Sequence, residues 1–99
     1  MDISKTQNGG RTIFSLSGRL DTHTAPKLQE VLMPELDGEK QVRLDFTKVA
    51  YVSSAGLRVL LMGEKTAKAK GARQTLTGVS EGVMEVFNMT GFSDILNIE

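Results

Sequence analysis

A strand signal followed by a helix signal near the middle of the chain constrains the fold more than any other feature. Apolar and polar residues alternate over 41–46, which is typical of a β-strand with one buried face. After residues 47–52, which we expect to form a loop, apolar side chains recur at helical spacing over 57–67, and Gly71 closes the helix. A strand joined to a helix in this way favours an α/β fold.

The N-terminal part of the sequence predicts a β-hairpin. Asn8-Gly9-Gly10 tolerates the positive φ angles that a two-residue hairpin turn requires, so it should join two strands. The first strand, at 3–6, is weakly apolar and is expected at a sheet edge, and the second spans 12–17. Gly18 is expected to end this pair of strands.

The remaining elements alternate between helices and strands. A helix begins near Ala25, and Pro34 should end or kink it because proline removes a helical hydrogen bond. The later pattern predicts a strand at 74–77, a third helix between Ser80 and Gly91, and a last short strand at 95–98.

This order of elements predicts the fold class. Right-handed crossovers between neighbouring strands would give a small, mixed but mostly parallel α/β sheet, begun by the hairpin and packed with three amphipathic helices. No repeat or linker divides the sequence, so a single domain over residues 1–99 is expected. The sequence leaves open whether the helices cover one face of the sheet or both.

Charge and composition exclude several functions. The 12 basic and 12 acidic side chains cancel, so no net field favours nucleic acid or an anionic membrane as a partner. No apolar stretch reaches the roughly 20 residues that span a bilayer, and no signal peptide is recognisable, so a cytoplasmic protein is expected. The chain has no cysteine and one histidine, and neither a metal site nor another cofactor is predicted.

Two catalytic patterns have little support. Gly63-Glu64-Lys65-Thr66 lies inside the second predicted helix and lacks the glycine-led loop that a P-loop needs. A serine hydrolase could use Ser54 as nucleophile and His23 as base, with Asp21 or Asp45 orienting the ring, but no nucleophile elbow accompanies the serine. The sequence therefore favours a binding protein over an enzyme.

Two loops are expected to meet at one edge of the sheet. Residues 21–23 follow the second strand, and Ser53 and Ser54 open the helix after the third, so both loops lie at the carboxyl edge where open α/β sheets bind ligands. Ser54 sits where the free amides and positive dipole of a helix N-terminus would accept an anion. The alternative is that Ser53 or Ser54 only caps the helix.

Four short motifs occur in order along the chain. They are Gly18-Arg19-Leu20-Asp21, Leu44-Asp45-Phe46, the segment from Val52 to Leu57, and the segment from Phe87 to Phe92. Together they resemble the STAS domain, in particular the free-standing anti-sigma factor antagonists of bacteria, over nearly the whole chain. The resemblance implies a STAS-like fold and a protein that acts by partner switching.

The resemblance also implies a cycle controlled by phosphorylation. An unmodified antagonist binds an anti-sigma factor that is also a serine kinase, and so frees a sigma factor for transcription. Phosphorylation of one serine at the start of the second helix releases the antagonist, and a PP2C-type phosphatase restores it. That serine corresponds to Ser54, with Ser53 and Ala55 replacing the family's usual acidic residue before it and hydroxyl residue after it.

The partner is expected to contact both loops. The implied partner-binding residues are Asp21, Thr22, Ser53, Ser54, Gly56 and Arg58. We expect a monomer that needs no cofactor, because the strands and helices already account for most apolar residues. The alternative within the same fold is a subunit of a lipid transporter or a scaffold of a stress complex, without a phosphorylation switch.

Overall fold

The computed structural model describes all 99 residues and contains one four-stranded sheet. The strands are β1 (Asp2–Asn8), β2 (Arg11–Leu20), β3 (Gln41–Val52) and β4 (Arg73–Thr77). They follow each other across the sheet in chain order, with β1 antiparallel to β2 and the other two pairs parallel. The N-terminal hairpin and the mostly parallel sheet are therefore as predicted.

Three α-helices and two 3-10 turns complete the fold. The helices are α1 (Ala25–Leu32), α2 (Ser54–Lys70) and α3 (Glu81–Thr90), and the 3-10 turns are Met33–Glu35 and Phe92–Asp94. Pro34 lies in the first 3-10 turn, so α1 ends just before it, as predicted. Gly71 and Gly91 end α2 and α3 in the left-handed conformation that glycine adopts most easily.

All three helices pack on the same face of the sheet. On this face Gln74 of β4 donates a hydrogen bond from its side-chain amide to the carbonyl of Leu60 in α2, at 3.1 Å. Phe87 of α3 lies against Phe46 of β3 with ring centroids 6.4 Å apart, and Leu32 of α1 belongs to the same core. The opposite face of the sheet carries the alternate, mainly polar residues and is open to solvent.

The prediction of a loop at 47–52 is wrong, because β3 continues through this segment. Val49 and Val52 stay buried in the core, but the strict alternation is lost where β3 shifts its register against residues 15–19 of β2. Such irregularities bend a strand and change which side chains face inward. The same shifts let β2 continue past Gly18, which has a φ of 110°. The pairing of β1 with β2 ends at Ser17, directly before Gly18, as predicted.

The prediction of a last strand at 95–98 is also wrong. The amide of Leu96 donates to the carbonyl of Phe92 at 2.8 Å, so this part of the backbone is used in a tight turn and is unavailable for strand pairing. Only Ile98 reaches the sheet, in an isolated parallel bridge with Leu76 of β4. The chain thus adds one bridge beside β4 instead of a fifth strand.

Candidate functional site at the carboxyl edge of the sheet

The carboxyl ends of β2 and β3 bring two loops together. Leu20 lies opposite Val52 at the end of the parallel pair, and the amide of Ser53 donates to the carbonyl of Leu20 at 2.9 Å. The turn after β2 and the start of α2 therefore share one edge of the sheet, as the sequence predicted. We call this edge, formed by residues 19–24 and 51–58, the serine edge.

The two neighbouring serines at the start of α2 have different roles. Ser53 is the N-cap: its backbone is extended and its Oγ accepts a hydrogen bond from the amide of Gly56 at 3.4 Å. Ser54 is the first residue of α2, is exposed, and takes no part in this cap. The amides of Ser54 and Ala55 have no intrahelical acceptor, and no acidic residue lies in the first turn. A free hydroxyl is thus presented beside an uncompensated helix N-terminus.

Asp21 organises the turn after β2 around its own carboxylate. Its Oδ1 accepts from the amides of His23 at 3.0 Å and Thr24 at 3.1 Å, while Thr24 Oγ1 donates to the carbonyl of Arg19 at 2.7 Å. Partial burial raises the pKa of Asp21, but these amide hydrogen bonds outweigh it, so the pKa lies below its ordinary value. The turn is therefore rigidly held, and Thr22 is exposed at its tip.

Gly56 is buried and sets how closely α2 approaches β2. A Cβ added at this position would lie 2.7 Å from Cγ and 2.9 Å from the carbonyl oxygen of Leu20. Any larger residue would therefore push the start of α2 away from the end of β2. Gly56 therefore affects the serine edge indirectly, by allowing α2 to pack closely on β2. Arg58 is exposed and forms no ion pair.

Sequence reasoning missed a second pair of side chains on this edge, Arg19 and Tyr51. They are opposite each other in the β2–β3 register, with the guanidinium carbon of Arg19 4.2 Å from the centre of the Tyr51 ring. Tyr51 is 41% exposed, and Arg19 Nε also lies 3.9 Å from Asp21 Oδ2. Tyr and Arg dominate binding energy at many protein interfaces. The single tyrosine of the chain was a possible signal, but it fell in the segment expected to be a loop.

The residues of the hydrolase alternative are not assembled into a triad. Asp21 accepts from the backbone amide of His23 and not from its ring, and Ser54 has no hydrogen bond to a base. Asp45 lies on the open face of the sheet, where hydrogen bonds from Thr47 hold its pKa below the ordinary value. No cluster of three potential metal ligands occurs, and none of the helices has the length and apolar character needed to cross a membrane.

The sequence and the fold match a known domain family. The sequence profile of the STAS domain matches residues 2–99, so the chain belongs to the STAS domain family. The anti-sigma-B factor antagonist of Bacillus subtilis is 30% identical over 98 residues, which are 99% of this chain and 90% of that protein. The corresponding protein of Listeria monocytogenes is 34% identical over 85% of this chain and 75% of its own.

Solved structures show the same fold. An anti-sigma factor antagonist from Mycobacterium paratuberculosis matches with a TM-score of 0.84 and 17% identity, over 98% of this chain and 83% of its own. SpoIIAA, a cell fate determinant of Bacillus, matches in its unphosphorylated form with a TM-score of 0.81 and 16% identity, over 99% and 88% of the two chains. The chain is thus a member of the anti-sigma factor antagonist group of STAS proteins. These are non-enzymatic regulators, in agreement with the prediction of a binding protein.

Proposed function

We propose that this chain is an anti-sigma factor antagonist controlled by phosphorylation of Ser54. Its unmodified form binds an anti-sigma factor that is also a serine kinase, and a sigma factor is thereby freed. Phosphorylation releases the antagonist, and a PP2C-type phosphatase returns it to the binding form. The observation that supports this proposal best is the division between Ser53, which caps α2, and Ser54, whose exposed hydroxyl is free to accept phosphate.

The energetics favour a release signal over an unfolding signal. A phosphate on Ser54 adds about −1.5 to −2 charges, and the N-terminus of α2 stabilises such an anion by roughly 0.3–1 kcal/mol. The same charge trapped without a partner in a protein interface costs roughly 2–5 kcal/mol. Since about 1.4 kcal/mol changes affinity tenfold, the modified domain stays folded and loses its partner.

The proposed contact surface is the serine edge. Within this edge we propose that the partner-binding residues are Asp21, Thr22, Ser53, Ser54, Gly56 and Arg58, and we include Arg19 and Tyr51 because they stack at the same edge. Gly56 contributes through the close approach of α2 to β2 and not through direct contact, because it is buried. The ring of Tyr51, already held under Arg19, gives the partner a preorganised aromatic contact three residues before the modified serine.

The first experiment identifies the partner and the modified residue. We propose that the chain acts as a monomer in the cytoplasm. The purified chain is used as bait to capture binding proteins from an extract of its source cell. Recovery of a histidine-kinase-like ATPase supports the proposal, whereas recovery of a transporter ATPase supports the alternative of a transporter subunit. Incubation with the captured kinase and ATP should add one phosphate, and mass spectrometry should place it on Ser54. Phosphate on Ser53, Thr22 or Thr24 would contradict the assignment.

The second experiment measures the switch by calorimetric titration with the same kinase. Ser54→Glu should bind more weakly, by less than true phosphorylation because a carboxylate has less charge and fewer acceptor oxygens. Ser54→Ala should bind like the unmodified protein. Asn88→Asp, which adds a charge at an exposed position of α3, is the matched control and should bind normally. Unchanged binding of both Ser54→Glu and the phosphorylated protein would rule out a switch at this serine.

A further inference from the structure

A cluster of arginines lies at the end of the sheet opposite the serine edge. Arg11 begins β2 and Arg73 begins β4, and both are in register with Gln41 at the start of β3, so they flank the same position. Arg43 follows two residues later on the same open face, opposite Thr75. Together with Glu99, these side chains line a cleft of about 270 Å³, which we call the arginine cleft.

The positive charge of the arginine cleft is only partly compensated. Arg43 Nη2 lies 3.6 Å from Glu99 Oε1, while Arg11 and Arg73 have no carboxylate within ion-pair distance. Glu39 lies beside Arg11 in a neighbouring cleft but does not pair with it. Three guanidinium groups therefore lie near two side-chain carboxylates, those of Glu99 and Glu39, in a chain whose side-chain charges cancel.

Asn97, a polar residue beside the arginine cleft, contacts two of the residues that line it, Thr75 and Arg73. Thr75 is 7% exposed, and its hydroxyl lies 2.9 Å from the side chain of Asn97. When the Asn97 amide is oriented to suit its neighbours, its oxygen also accepts from Arg73 Nε at 3.1 Å and Nη2 at 3.3 Å. Asn97 thus holds the guanidinium of Arg73 through its Nε and Nη2 atoms and leaves the Nη1 group for a ligand, so part of the ordering cost of binding is already met.

We propose that the arginine cleft is a binding site for a small anion carrying more than one phosphate group. Guanidinium groups bind phosphate oxygens through paired, charge-assisted hydrogen bonds. Arg11 and Arg73 are two strands apart, about 10 Å between backbones, so their side chains can reach two neighbouring phosphates of one ligand. Val42 is the one apolar residue of the lining, so the cleft offers little surface for a nucleobase, and the phosphates carry the binding.

Glu99 acts in this site as an internal competitor. Its carboxylate occupies the position beside Arg43 that a phosphate would take, and it must swing away when the ligand binds. The ion pair is partly exposed, with 34% and 55% of the two side chains accessible, so the carboxylate is displaced at small cost. Removing the charge of Glu99 should therefore strengthen binding, which distinguishes a competitor from a structural support.

The test titrates inorganic tripolyphosphate into the full chain and follows binding by calorimetry and amide chemical shifts. Shifts should centre on the arginine cleft, and affinity should fall as salt is raised. Arg73→Gln and Arg11→Gln should each weaken binding about tenfold, and Glu99→Gln should tighten it. Lys27→Gln, which removes an exposed charge from α1, should change nothing.

Three results would overturn the proposal. One is equal weakening by Lys27→Gln, which would indicate general attraction to positive charge. Another is a set of shifts centred on the start of α2, which would place the anion at the serine edge. The third is tighter binding of a DNA oligonucleotide than of tripolyphosphate, which would indicate a nucleic-acid surface. Because the arginine cleft and the serine edge are at opposite ends of the sheet, Arg73→Gln should still bind the anti-sigma factor normally, so the two proposals fail separately.

Discussion

The starts of α2 and α3 share the same cap but differ in the residue that follows it. Ser53 and Ser80 both have extended backbones, and each accepts a hydrogen bond from the amide three residues later, at 3.4 and 3.3 Å. After the cap, α3 begins with Glu81, whereas α2 begins with Ser54 and has no acidic residue in its first turn. The N-terminus of α3, which carries the positive end of the helix dipole, thus has a permanent negative charge, whereas the N-terminus of α2 has a neutral hydroxyl.

This difference suggests how a phosphorylation site can be added without risk to the fold. The helix N-terminus favours negative charge, and α3 shows that the domain accommodates a carboxylate at the first helical position. Phosphorylation of Ser54 would place a negative charge at the first position of α2, where α3 already has Glu81. The following predictions test this comparison, from the largest expected effect to the smallest.

The two helices should respond in opposite directions when a glycine of the first turn is replaced. Gly56→Ala should lower the free energy of unfolding by about 1–3 kcal/mol, because its Cβ would meet Leu20 at 2.7 Å. Gly82→Ala is the matched variant in α3, where nothing lies within 4 Å of the added Cβ. It should raise the free energy of unfolding by about 0.5–1 kcal/mol. Urea denaturation measures both, and equal effects would contradict the close packing of α2 on β2.

Alanine substitutions should show that Ser53 and Ser54 contribute differently to the stability of the domain. Ser53→Ala and Ser80→Ala should each cost about 0.5–2 kcal/mol of stability, since each removes a side-chain acceptor from a helix amide. Ser54→Ala should cost under about 0.5 kcal/mol, as is usual at an exposed position without such a feature. Thermal and urea denaturation would show the order, and a larger loss for Ser54→Ala than for Ser53→Ala would reverse the assignment of the cap.

Changing the charge of the first residue of α2 or α3 should change the free energy of unfolding modestly, with opposite sign in the two helices. Ser54→Glu should stabilise the domain by about 0.3–1 kcal/mol, and Glu81→Gln should destabilise it by a similar amount, through the helix dipole. Both effects should shrink in high salt, because exposed charges are screened. Melting temperatures at low and high ionic strength test this. A destabilised Ser54→Glu protein would show that α2 does not tolerate the charge.

The smallest expected effect is the loss of stability at acidic pH when the carboxylate of Asp21, in the turn after β2, is protonated. The pKa of folded Asp21 lies below its ordinary value of 3.8, so its contribution to stability is present above that pH. It is lost as the pH falls through the lower, folded pKa. Asp21→Asn should therefore differ most from the unmodified chain above pH 3.8, and the difference should shrink as the pH is lowered below that value. The loss caused by Ser80→Ala involves no titrating group and should not change with pH.

Much of the architecture could be predicted because local patterns agree with it. The alternation over 41–46, the hairpin turn before Arg11 and the glycines at 71 and 91 each specify an element without reference to the rest of the chain. The errors came where packing overrides pattern. Residues 47–52 remain in β3 because register shifts against β2 keep Val49 and Val52 in the core, and a single sequence does not reveal a shift between two strands.

The sequence was enough to predict where the candidate site lies, but not which side chains form its hydrogen bonds and contacts. Topology and the STAS motifs were enough to bring Asp21 and Ser54 to one edge. The sequence left open whether Ser53 or Ser54 caps α2, because that depends on which hydroxyl meets the amide of Gly56. The stacking of Arg19 on Tyr51 depends on cross-strand register and was invisible for the same reason as the true length of β3.

The separation of the cap from the free hydroxyl at the start of α2 also bears on how long the protein survives in a cell. Degradation of a small domain follows the fraction of molecules that are transiently open, and so follows the free energy of unfolding. Phosphate on Ser54 would raise that free energy by only roughly 0.3–1 kcal/mol, so the phosphorylated form should be degraded at most about five-fold more slowly than the unmodified form. Phosphorylation would then change the ratio of active to inactive molecules without marking either form for rapid removal.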